Sequence, residues 1–115
     1  MEQPDAVGAT EIIKLAVPGP RAVQTNVDEF HKLAQPFLEQ DCPKIIVDMS
    51  RVEFVDSSFL GALVMLLKRA VARHGDLKIF GLQRSVRTLF EMLRLYRIFD
   101  IHETEDSARR SFGGS

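Results

Sequence analysis

The chain contains a single cysteine, no tryptophan, one tyrosine and no long apolar run. Cys42 has no second thiol for an intramolecular disulfide or a thiolate zinc cluster, so a reducing, cytoplasmic setting is expected. The longest uninterrupted apolar stretch, residues 59–67, covers nine residues. That is under half of the roughly 20 a helix needs to cross a bilayer, so no membrane insertion is expected. The opening MEQPDAVGATE is acidic and lacks an apolar core, which argues against a secretory signal. Charge of one sign is also missing. With 15 Lys and Arg against 16 Asp and Glu, net -1, the chain is not built to coat nucleic acid or an anionic membrane.

What is present suffices for one domain. The 115 residues are 45% hydrophobic, enough for a single core and too few for two. Residues 11–17 (EIIKLAV) are strand-like and run into Pro18-Gly19-Pro20, a turn. A helix is predicted from Asn26 as cap, with Asp28 and Glu29 in its first turn. In it Val27, Phe30, Leu33, Ala34, Phe37 and Leu38 recur at helical spacing, and Pro36 should kink or end it. Residues 44–49 (KIIVDM) read as a buried strand, followed by a polar connection anchored by Val52, Phe54 and Val55.

Ser57 or Ser58 opens the strongest helical pattern, running to about Arg73 and closed by Gly75. A strand at 77–82, a helix at 85–95, a strand at 97–102 and a short helix capped by Thr104 complete the pattern. In the third helix Val86, Leu89, Phe90 and Leu93 share a face. Strand and helix alternate four times, which implies an α/β domain over 10–112 with a mostly parallel central sheet and four helices. Residues 1–9 read as a lead-in or edge strand and 113–115 as a flexible tail.

Chemistry concentrates in Val55-Asp56-Ser57-Ser58-Phe59-Leu60-Gly61-Ala62. Two hydroxyls follow a carboxylate where the first helical N–H groups lack partners and the dipole is positive. Such a place can partly accommodate a phosphate on Ser57, which would add about -1.5 to -2 charge. Asp56 beside it would repel that charge. The same residues also read as simple capping, Asp or Ser ahead of an apolar helix. Along this helix Leu60, Leu63, Val64, Leu67 and Val71 form the core stripe, flanked by Phe59, Leu66 and Ala70. Ala62, Met65, Arg69 and Arg73 point the other way and suggest a docking strip.

The run IIVDMSRVEFVDSSFLGALVMLLKRAVARHGDLKIFGLQRSVRTLFEML resembles the STAS domain of anti-sigma factor antagonists. The likeness lies in the strand ending Val-Asp-Met, its spacing to Asp56-Ser57-Ser58, Leu60-Gly61 beyond, and the helix from Val86 to Leu93. The resemblance implies a non-enzymatic partner switch without a cofactor. A serine kinase of the histidine-kinase-like ATPase fold would bind the unphosphorylated chain and phosphorylate Ser57. A PP2C-type phosphatase would reverse this. Asp56 and Ser58 would be the phosphosite's neighbours, and Phe59, Ala62, Met65, Arg69 and Arg21 the partner-facing residues. Two departures stand out. Phe59 occupies a position usually held by Gly, which should alter the surface beside the acceptor. Arg21 replaces an acidic contribution in the first loop, so it could pair with a phosphate if it lies near Ser57.

Other readings remain open. A STAS module that scaffolds a complex or serves a transporter would use Ser57 only as a cap. Asp48 ends a strand as a receiver's acceptor aspartate would, but no acidic pair follows the first strand to hold Mg²⁺. A serine hydrolase elbow is absent, because Val55 and Phe59 flank the site where glycines belong. His31, His74 and His102 are scattered, and no cluster has metal-ligand spacing. Arg84, Arg87, Arg94 and Arg97 read as a solvated face able to meet an acidic partner, not as a nucleic-acid surface.

Overall fold

The structure is a computed structural model and describes residues 11–113. The segment expected to lead in at 1–9, and residues 114 and 115 of the expected tail, lie outside the described residues.

Among the described residues four strands form the sheet in the order β1-β3-β5-β6, all parallel: β1 (Ile12–Ala16), β3 (Lys44–Asp48), β5 (Asp76–Phe80) and β6 (Asp100–His102). A second pair, β2 (Arg21–Ala22) and β4 (Phe54–Val55), is also parallel. The helices are α1 (Gln24–Leu38), α2 (Ser57–Ala72), α3 (Arg84–Met92) and α4 (Glu105–Arg110), with a 3₁₀ turn at Leu95–Arg97. The α/β architecture with four helices is therefore as the alternation implied.

Strand residues alternate between two faces. Leu15, Ile45, Val47, Leu77 and Ile79 enter the main core, which α1, α2 and α3 cover with Phe30, Ala34, Leu38, Leu63, Leu66, Val86 and Phe90. Ile46 and Phe80 point the opposite way and meet Ala108 and Phe112 from the α4 segment. Three helices thus lie on one side of the sheet, and α4 alone covers the other among the described residues.

Local departures have physical causes. α1 begins two residues ahead of Asn26, which sits in the first turn and accepts from Val23 N at 2.9 Å. Asp28 and Glu29 consequently fall past that turn. Pro36 is held inside α1, which ends two residues later at Leu38. Leu33 and Val71, expected in the core, are half exposed because each lies at the edge of its helix's apolar arc. Leu93, also expected there, is half exposed because α3 ends at Met92, one residue before it. At the end of α2 it is His74, not Gly75, that adopts the left-handed conformation, with φ 67. Gly75 N donates to Ala70 O at 2.8 Å and His74 N to Val71 O at 2.9 Å, a paired closure of the helix. Gly75 is needed for another reason: a side chain there would overlap the carbonyl of Pro43. The third helix stops early, at Met92, because Arg94 turns left-handed with φ 56 and starts the 3₁₀ turn. That turn takes up part of the strand expected at 97–102.

Candidate functional site

The parallel strands deliver their carboxyl ends, and therefore the amino ends of the following helices, to one side of the molecule. At this side Val55 is buried and closes β4, and Asp56 N donates to Ala22 O at 3.1 Å. Asp56 is extended (φ -101, ψ 174) and caps α2, its Oδ1 accepting from Phe59 N at 2.9 Å. Its other oxygen, Oδ2, accepts from Gln24 N at 3.0 Å, the first residue of α1. One carboxylate therefore ties together the heads of two helices. Sequence reasoning assigned Asp56 only the α2 end, because nothing local to residues 55–59 reports where α1 begins.

Ser57 and Ser58 follow at the head of α2, and both are exposed. Among the described residues no hydrogen bond engages either hydroxyl. Ser57 is thus reachable from solvent and unclaimed by the fold.

The residues expected to face a partner divide. Met65 is outward, 54% exposed. Phe59 is fully buried, its ring 5.3 Å from that of Phe30 on α1, so it fills the interior and does not form part of the surface beside Ser57. Ala62 is also buried. α1 packs on that flank of α2, where Arg69 donates to Gln35 Oε1 of α1 at 2.8 Å, so Arg69 is half covered. Arg73 donates to Gln40 O and Asp41 Oδ1. The docking strip read from the helical wheel is thus largely the α1–α2 seam.

Arg21 lies on β2, directly opposite Phe54 in register, with its guanidinium 4.7 Å from the centre of the Phe54 ring. Among the described residues no ion pair or hydrogen bond joins it to Ser57. Phe54 was expected as a core anchor and is instead 47% exposed. The β2–β4 pair had no signal in the sequence, since two-residue strands have no periodicity to read.

A second ionic group lies on the α4 side. Lys78, 7% exposed, bonds Asp100 Oδ2 at 2.7 Å and lies 4.7 Å from the Phe112 ring centre. His102 Nδ1 is 2.7 Å from Ser107 Oγ. Its Nε2 is 3.0 Å from Asp100 Oδ2, yet it is buried without a well-aligned hydrogen bond. Burial pushes the Asp100 carboxyl up, but the Lys78 hydrogen bond and the His102 ring beside it outweigh this and the net direction is down. The Arg109 guanidinium, and then Lys14, hold Glu105 below the usual carboxylate value. Among the described residues no group of three His, Cys, Asp or Glu side chains is placed to hold a metal ion. No helix there is long and apolar enough to cross a membrane.

A parallel sheet with three helices on one face, and two exposed serines at the head of the longest, defines a small α/β module. Residues 3–108 match the STAS domain family, and the chain belongs to it. A putative anti-sigma factor antagonist from Thermotoga maritima is similar at 27% identity and TM-score 0.78, over 87% of this chain and 86% of that one. A sulfate transporter family protein from Wolinella succinogenes shares the fold at 18% identity and TM-score 0.72, over 84% of this chain and 80% of that one. So does the Bacillus cell fate determinant SpoIIAA in its phosphorylated form, at 18% identity and TM-score 0.67, over 92% and 95%.

Proposed function

We propose that the chain is an anti-sigma factor antagonist that switches partners through Ser57. The unphosphorylated form binds an anti-sigma factor that is also a serine kinase of the histidine-kinase-like ATPase fold. Phosphorylation of Ser57 releases it, and a PP2C-type phosphatase resets it in the cytoplasm. The observation that carries this reading is the exposed Ser57 hydroxyl at the amino end of α2, without a hydrogen bond among the described residues. A dianion there sits against Asp56, whose two oxygens are already committed. It adds like charge where a partner must approach, without breaking the core.

A second reading, a STAS module that does not switch, has the transporter-family structural neighbour in its favour. The two separate in one experiment, using a purified serine kinase of the histidine-kinase-like ATPase fold with ATP. Under the switch, Ser57 takes up phosphate, Ser57→Ala does not, and Ser57→Asp binds the ATPase at least about tenfold more weakly. Equal binding by Ser57→Asp and wild type would leave only the non-switching module.

A further inference from the structure

The loop at residues 50–53 is gripped from two sides, and each side leaves an arginine at the surface. On one side Pro20 O accepts from Glu53 N at 2.7 Å and from Phe54 N at 3.1 Å. Gly19 lies so close that a side chain there would overlap the Arg51 carbonyl. On the other side Gln83 Nε2 donates to Ser50 O at 2.8 Å and Ser85 Oγ to Glu53 O at 3.0 Å. Arg21, Arg51 and Arg84 are therefore brought to one rim, beside Ser57. All three are exposed, and among the described residues none has an ion pair. The amino ends of α1, α2 and α3 open on the same rim and add partial positive charge.

The acids at this rim are mostly occupied. Asp56 is spent on two backbone N–H groups, and Asp48 Oδ1 accepts from Ser50 N at 2.9 Å. Glu53 remains exposed and without a side-chain partner in this loop, and Asp28 and Glu29 are likewise exposed about a turn further along α1. The balance is basic on a chain whose total is -1. At the centre of the rim is an aromatic–arginine pair. A guanidinium held over the Phe54 ring still has N–H donors to offer a carboxylate and gives up little further freedom on binding. Arginine and large aromatics of this kind carry a disproportionate share of interface energy.

From this we infer that the protein docked at Ser57 meets the rim with carboxylates, and that Arg21 stacked on Phe54 is the anchor that selects it. The inference rests on the switching function proposed above and assigns the partner's contact surface an acidic character. Phosphate on Ser57 then places negative charge where the partner's own carboxylates must come.

The test measures affinity of the purified ATPase for wild type, Arg21→Glu, Arg21→Lys and Arg84→Glu at low and high salt. Wild-type affinity should fall as salt rises, and Arg21→Glu should lose about tenfold or more. Arg21→Lys, which keeps charge but stacks less well, should lose less. A photo-crosslinking amino acid placed at residue 54 identifies the partner carboxylate it meets, and replacing that carboxylate by Arg should restore binding to Arg21→Glu. Far-UV circular dichroism and thermal melts check that each variant folds; Arg84→Glu supplies a second readout should Arg21→Glu not fold. Salt-independent binding, or Arg21→Glu binding as wild type, overturns the inference while Ser57 phosphorylation would still stand. Capture by phosphatidylglycerol vesicles with the ATPase's affinity unchanged by Arg21→Glu overturns it too. If wild type binds no such ATPase, the switch itself fails and the inference falls with it.

Discussion

Asp56 shows how much one side chain can hold. It satisfies Phe59 N in α2 and Gln24 N in α1, so its loss leaves two helix starts short of an acceptor. Asp56→Ala should lower stability by about 1–2 kcal/mol, as N-cap losses do, read from equilibrium urea unfolding. Ser57→Ala, one residue on, removes no hydrogen bond and should stay within about 0.5 kcal/mol of wild type. A reversed ranking would remove the clamp. Asp56 and Ser57 could be singled out from the sequence because a carboxylate and hydroxyls before an apolar helix have a fixed local meaning. Arg21 and Phe59 could not be placed that way, since their positions depend on chain segments far off in sequence. A helical wheel orders residues around one axis but does not say that Phe30 of α1 will cover the flank carrying Phe59 and Ala62.

At the scale of elements, α4 is the lightly attached piece. It is six residues long, buries Ala108, and is held by Lys14–Glu105 at 3.2 Å and by the Lys78–Asp100–His102 group beneath it. Asp100 and Glu105 both titrate below their ordinary values in the folded chain. A carboxylate so lowered contributes stability that is complete above its unfolded value of about 4 and is lost as pH falls through its folded one. Acidification into this range should therefore loosen α4 and β6 before the three-helix face. Hydrogen exchange from pH 6 to 3, corrected for the intrinsic rate, should show protection falling first at residues 105–112. Asp100→Asn should flatten that dependence, and uniform loss across the chain would count against it. The Thr104 cap could be read ahead, and its Oγ1 does accept from Ser107 N at 3.1 Å. The ionic group could not, because Lys78, Asp100 and His102 come together only through the register of β5 against β6.

Across the whole molecule, the strand–helix alternation carried the architecture, because each apolar period reports its own element. Strand order did not follow from it: β1 beside β3 beside β5 beside β6 is a property of crossovers. The two faces of the sheet are equally unequal in weight, with a large core under three helices and a small one under α4. Phe59 sits in the larger, against Phe30. Phe59→Ala should cost about 3–5 kcal/mol in global unfolding, a large part of the 5–15 kcal/mol typical of a domain. Denaturant midpoints measure it, and a loss under about 1 kcal/mol would mean the space closes without the ring. The Phe30–Phe59 contact also bears on chimeras. The serine-bearing segment of a relative with glycine at this place cannot be exchanged for this one as a cassette, since the inward ring and its counterpart on α1 have to travel together.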